Sequence, residues 1–507
     1  MRIKTLAGTM ALVAGSLLTQ QAAAQKSADT LRAAWRDQIV NVDPYYNSLR
    51  TGLVVAHHAW DTLIYRDPEG FVMKPALAKS WKWIDDTTLE FELQTTAKFH
   101  NGDPVTAEDV VYTIGIVTDP KSGISAPSNY TWIAGAEAMG THKVRITLKN
   151  PFPAALEYIS FVLPIYPKAY REKVGRDVYA KEPIGAGPYR ITKLDGVSQI
   201  DMERFEGYYA ESSKGRPAIK RIIIKQVNDA TAELTLALGN QADWIWQFNP
   251  DQFDKIAAMP HLSTLRQEAM RIAHISMDAA GRSAEKGPLT DVRVRKAIAH
   301  AIDRESFARN LVQGGARVPN GPCYFTQFGC EQDAMVKYDY NPAKAKALLI
   351  EAGYPDGFEI EMVNILLPTW AGAVQNYLAA VGIKAKVNTM QVSAAIARID
   401  KGEVNSYLSS WGSYSINDIS AIMPYFFSMN AQDYARDPIV TDALKAGSAT
   451  ADPEARKKAY RIALQRATDQ VYWLPMSTYV TTYAISRQLN FTPYPDEMPR
   501  WFLSSWK

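Results

Sequence analysis

Strand-like and helix-like segments alternate along almost the whole chain with no low-complexity linker between them, and this restricts the fold more than any other feature. A chain so interleaved predicts a mixed α/β architecture in which segments distant in sequence share sheets. Thr30 to Trp35 reads as a strand, broken by Asp43-Pro44, and Gly52 to Leu63 has helical spacing. Thr88 to Leu93 and His142 to Leu148 read as strands; between them Thr106, with Asp109 three residues on, opens a helix through Val110, Val111 and Ile114. Gly185, Gly187 and Pro188 punctuate a strand-and-turn stretch reaching Ile224. Helices are predicted over 231–238 and 291–311, the latter with Val294, Ile298, Ala301 and Ile302 on one face, and a strand over Asp243 to Trp246. Asn341-Pro342 starts a helix that stops at Gly353, and strand 359–363, helix 370–381, strand 383–387 and helix 453–470 follow.

The chain has 507 residues, 47% hydrophobic and 21% charged, enough for a large core and suggestive of two or three domains. Its N-terminus has the layout of a cleavable secretory signal peptide over residues 1–24. Arg2 and Lys4 precede an uncharged stretch from Leu6 to Leu18, and Ala22-Ala23-Ala24 supplies small residues before Gln25. Those 13 residues are too few to span a bilayer, no cysteine follows the cleavage site, and no later run reaches 18 apolar residues. The expectation is a soluble periplasmic protein of a Gram-negative cell. Without Arg2 and Lys4, 54 basic residues face 53 acidic ones, so the electrostatic footprint of a nucleic-acid binder is missing. Cys323 and Cys330, the only cysteines, form an even, close pair, which in an oxidising compartment reads as one structural disulfide. Their spacing is not C-x-x-C and no histidine lies nearby, which disfavours a redox or metal pair.

Enzyme chemistry finds little purchase. His57, His58, His100, His142, His261, His274 and His300 form no H-e-x-x-H or other metal-spaced cluster. No nucleophile elbow, Walker loop or complete dinucleotide fingerprint occurs: Gly185-Ala186-Gly187-Pro188 lacks the third glycine and carries proline where a helix should begin. Asp85-Asp86 reads as a turn between strands. The expectation is a protein that is not an enzyme, with no cofactor and no metal.

Several stretches then resemble the extracytoplasmic solute-binding proteins of family 5, the dipeptide, oligopeptide and nickel-binding group. They are Lys74 to Trp81 (KPALAKSW), Lys98 to Val110 (KFHNGDPVTAEDV), Pro183 to Tyr189 (PIGAGPY), Asp291 to Arg304, Tyr340 to Tyr354, and Asp452 to Arg456 with Leu474-Pro475. The blocks stand in the family's order over about 400 residues. The resemblance implies a two-lobed periplasmic binding protein fold (type II, cluster C-like) with three domains and a hinge between the lobes. Domain I would comprise 25–64, 185–275 and 478–507, domain II would be inserted at 65–184, and domain III, the second lobe, would span 276–477. It further implies a monomer that captures a small solute, most often a di- or oligopeptide, and hands it to an ABC permease driven by its own ATPase. A nickel chelate, opine, oligosaccharide or haem are alternative ligands, and a periplasmic hydrolase is the alternative class.

In peptide-binding members an aspartate after a Gly-Trp pair receives the ligand's ammonium. Here Trp411 matches the aromatic position and Asp418 is the nearest acid, several residues late. Trp244 and Trp246, on one face of a strand, are expected as a ligand wall. Tyr45 and Tyr46 after the Asp43-Pro44 turn, and His274 on a short strand over 272–277, complete the expected set.

Overall fold

In the computed structural model, residues 29–507 are described except Val40, Ser48, Val197 and 284–286, so the signal-peptide reading of residues 1–24 lies outside the described residues. No described helix is long and apolar enough to cross a membrane. The β-branched and aromatic runs assemble into a ten-stranded sheet whose strands, in chain order, are β1 (Thr30–Trp35), β2 (Tyr189–Asp195), β3 (Gln199–Arg204), β4 (Arg221–Gln226), β5 (Trp244–Trp246), β6 (Leu262–Met277), β7 (Phe358–Asn364), β8 (Ile383–Thr389), β9 (Ser406–Trp411) and β10 (Trp473–Ser486). Across the sheet they lie in the order β8-β7-β9-β6-β10-β5-β1-β4-β3-β2.

That order divides the molecule. β1 to β5 build one lobe, β7 to β9 the other, and the long antiparallel pair β6–β10 crosses from one to the other, paired from Leu262↔Ser486 to Ser276↔Trp473 with register shifts between Ala269 and Ile272 and between Ala273 and His274. The first lobe also carries a four-stranded sheet, from Ala78–Asp85, Thr88–Leu93, Lys143–Leu148 and Ile133–Ala138. Each lobe has its own apolar core. Trp35, Trp60, Phe91, Phe99, Ile146 and Trp244 belong to the first, and Val294, Ile298, Leu349, Trp370, Val374 and Leu408 to the second. Parallel β1 and β4, and parallel β7 and β8, are flanked by helices such as 292–301 and 368–379, as buried parallel strands require.

Local chemistry explains most boundaries. The helix Ala107–Thr118 starts where Asp109 accepts a hydrogen bond from the Thr106 N–H at 2.8 Å, and Pro342–Glu351 starts where Asn341 accepts from the Lys344 N–H. Gly353 beyond it has φ +91°, the left-handed position that ends the helix. Two expectations need correction. The helix expected over 291–311 stops at Ala301; Asp303 caps a new short helix, Arg304–Phe307, by accepting from the Ser306 N–H. The break leaves Arg304 reaching the carbonyls of Pro475 and Tyr338, so it joins separate elements. The strand bearing His274 is not short but the 16-residue β6. Gly185 and Gly187 are needed for close approach: a Cβ on Gly187 would lie 2.6 Å from the His58 carbonyl oxygen, and one on Gly185 would strike that of Ala59.

Candidate interlobe solute site

A cavity of about 420 Å³ opens between the lobes beside the crossing strands. The first lobe contributes Arg36, Gln247, Phe248 and Asn249, the second Val312, Leu367 and Trp370, and the crossing pair Arg271, Tyr479 and Thr481, while Glu497 closes it from the C-terminal tail. Its placement follows from topology. Arg36 and Gln247 lie just past the carboxyl ends of β1 and β5, and Leu367 lies just past that of β7, where open α/β sheets place their ligands.

A β-bulge between Ala269 and Ile272, the first of two register shifts in β6, re-aims Arg271. Its Nε donates to Glu497 Oε2 at 3.1 Å, Thr481 Oγ1 donates to Glu497 Oε1 at 3.1 Å, and Arg50 Nη2 lies 3.9 Å from the same carboxylate. Burial alone would raise Glu497, but Arg271 and Arg50 outweigh it and hold the carboxyl below its ordinary range. The Trp370 and Tyr479 rings, 5.1 Å apart, supply a flat apolar wall. Gln247 and Glu497 both sit at positive φ, +54° and +55°, a strained conformation for residues with side chains.

Beside the cavity the loop after β9 clamps the second lobe onto the first. Ser415 Oγ donates to the Asp496 carbonyl oxygen at 2.6 Å and accepts from Arg50 Nη1 at 2.9 Å, while its own carbonyl accepts from Arg66 Nη1 at 2.6 Å. Glu157 accepts both from Arg66 and, at 3.0 Å, from the Asn417 N–H. Arg66 and Arg500 flank Asp496, at 3.2 and 2.6 Å, and hold its carboxyl well below the usual range against the penalty of burial. Ser413 and Ser415, at φ +52° and +61°, give the loop its tight winding.

The seven side chains expected at the ligand do not line this cavity. Asp418 is buried and bonded to Arg456 Nη2 at 2.7 Å, and it also accepts from the Ser420 N–H. Its oxygens therefore serve a structural ion pair inside the second lobe. Trp411 ends β9 opposite Ile272, with its ring stacked 4.1 Å from Tyr425. Trp244 and Trp246 do share a face, but it is an interior one, against Trp501, Tyr483 and Phe491. Tyr45 is buried and donates to the Pro164 carbonyl oxygen, and Tyr46 donates to that of Ser122, both within the first lobe. His274 stacks 4.1 Å from Trp473 in the second lobe, and burial pushes its pKa down to about 3. Asp418, Tyr45 and Tyr46 have their polar groups taken by partners inside one lobe, and the rings of Trp411, Trp244, Trp246 and His274 pack against neighbouring aromatic rings. Cys323 and Cys330 are bonded to each other. Among the described residues no group of three or more His, Cys, Asp or Glu could hold a metal ion.

Arg36, Gln247, Arg271, Trp370, Tyr479 and Glu497 were not singled out by the sequence. For Arg36 and Gln247 a signal existed, since each follows the last residue of a strand read correctly. The bulge that turns Arg271 and the tail that returns Glu497 leave no local trace.

Comparison with known proteins places the chain. The model of the bacterial extracellular solute-binding proteins, family 5 Middle, matches residues 72–433. The glutathione-binding protein GsiB of Salmonella choleraesuis is 26% identical over 480 residues, covering 90% of each chain. A dipeptide-binding protein from Pseudoalteromonas sp. SM9913, solved with Met-Leu, superposes with a TM-score of 0.80 at 20% identity, over 94% of this chain and all of the other. The ABC transporter substrate-binding protein CtaP of Listeria monocytogenes superposes with a TM-score of 0.84 at 21% identity, over 95% of this chain and all of its own. The chain belongs to the bacterial extracellular solute-binding proteins of family 5, the substrate-binding components of ABC importers.

Proposed function

We propose that this protein works in the periplasm, captures a small peptide-like solute in the interlobe cavity, and delivers it chemically unchanged to its membrane permease. We take the molecule as a monomer with domain I at 25–64, 185–275 and 478–507, domain II at 65–184 and domain III at 276–477. The observation that carries the reading is the cavity: walls drawn from both lobes and from the two strands joining them make its shape depend on how the lobes meet. A volume near 420 Å³ lies within the range of small-molecule sites and suits a di- or tripeptide more than haem. The relatives that bind glutathione and Met-Leu support that size class.

The test is isothermal titration of the purified protein with glutathione, Met-Leu and a panel of longer peptides, followed by mass analysis of the recovered solute. One-to-one binding with full recovery is expected, and a ligand at a hundredfold its Kd should add about 2.7 kcal/mol to stability. Recovery of a cleaved product would overturn the transport reading in favour of a hydrolase.

A further inference from the structure

Two guanidinium groups on the cavity wall are held from behind and left open in front. Arg36 Nε lies 2.9 Å from Glu233, and Arg36 Nη2 donates to the Gln247 carbonyl oxygen at 3.1 Å. Arg271 uses its Nε on Glu497. The two arginine side chains keep 34% and 29% of their surface exposed, whereas the carboxylates that hold them keep 2% and 4%. Nη1 of Arg36 and both Nη atoms of Arg271 make no hydrogen bond among the described residues. A guanidinium fixed on one edge presents the other as a preoriented fork, and the acceptor that matches a fork is a planar anion.

The site is equally clear about what it does not receive. Glu497 is the one carboxylate among the described lining residues, and both its oxygens are engaged, by Thr481 and Arg271. Asp418 is closed off by Arg456. A lone ammonium entering the cavity would meet two cations and no free acid. Behind Arg36 the countercharge is weak, since burial pushes Glu233 up to about 7.

The geometry points to an acidic solute as the guest: a small organic acid or acidic peptide with at least two carboxylates, one seated on Arg271 and one on Arg36, its body against Trp370, Tyr479 and Leu367. This rests on the cavity being the solute site, and it narrows the ligand from any small peptide to an anionic one.

The test has two arms. Protein isolated under native conditions is denatured, and the released solute is methyl-esterified to count its carboxyl groups; two or more are expected. In parallel, the released solute and two probes, glutathione and its diethyl ester, are titrated into the wild type and into Arg271→Lys and Arg36→Lys, which keep the charge and lose the fork. The acid-bearing solute should bind each variant about 10- to 100-fold more weakly than the wild type, the span expected for a charge-assisted bidentate bond. Melting curves of the unliganded variants check that they fold, and the ester should bind the wild type more weakly than glutathione wherever glutathione binds. A released solute without a carboxylate, or wild-type affinity of both folded variants for the acid, overturns this inference and leaves the solute-binding reading standing. Protein that releases no solute and binds none of the titrants overturns that reading, and the inference with it.

Discussion

Replacing Asp418 by alanine separates the two roles that its carboxylate was offered. In the structure Asp418 Oδ2 sits 2.7 Å from Arg456 Nη2, both side chains are about 95% buried, and Phe328 covers the guanidinium at 4.4 Å. Burial works against the charge of Arg456, and Asp418 more than restores it, leaving the guanidinium above its ordinary pKa. Without Asp418, Arg456 keeps the Gly447 carbonyl and the Tyr460 hydroxyl as partners, neither of which neutralises it. Removing one member of a buried pair costs about 3–5 kcal/mol, and each kcal/mol moves the melting temperature of a unit of roughly 200 residues by about 2–4 °C. A fall of about 6–20 °C is therefore expected by calorimetry, with solute affinity at a permissive temperature within about twofold of wild type by titration. The double change Asp418→Leu with Arg456→Met removes both charges and should recover most of the loss. Weakened binding with an unchanged melting curve would show that Asp418 faces the solute, and the ion-pair argument would be wrong.

Three further outcomes follow from buried groups. His58 and His274 are pushed to about 3 and His100 to about 4 by burial, against 6.5 for a free histidine, so the folded chain resists protons that the unfolded chain takes up. Their contribution is intact above pH 6.5 and is lost as the pH falls toward 4; at pH 5 each costs about 2 kcal/mol by linkage, and His274→Phe should flatten the acid limb of a denaturation series by that amount. Glu233 runs the other way. Raised to about 7, it favours the fold below pH 4.5 and loses that advantage as pH rises through 7, so Glu233→Gln should gain up to about 3 kcal/mol on wild type between pH 5 and 8 in urea titrations. Reducing Cys323–Cys330, which closes a loop with a sequence separation of seven, should cost about 2–3 kcal/mol, read as an earlier melt in dithiothreitol that Cys323→Ser with Cys330→Ser no longer shows.

Much of the scaffold was legible because its signals are local. Alternation set Thr88–Leu93 to the residue, Thr30–Trp35 was read with its observed bounds, Asn341-Pro342 and Gly353 bracketed a helix, and the capping pair Thr106/Asp109 placed another. The site was not legible, because it is made by distance. Arg271 meets Glu497 across 226 positions, and Arg66 meets Ser415 across 349. Aromatic residues misled for the same reason: Trp244 has the same-face spacing of a ligand wall, and only the return of Trp501 from the C-terminus turns that face into core. Asp418 misled through its partner, since nothing near it in sequence announces Arg456.

The central claim is met most directly by a crystal structure of the protein, isolated under native conditions, with its solute bound. The account predicts electron density for one intact guest between the lobes, bounded by Trp370 and Tyr479, with oxygen atoms within hydrogen-bonding distance of the Arg271 and Arg36 guanidinium groups. Density for that guest elsewhere, with the interlobe cavity holding only water, would contradict it.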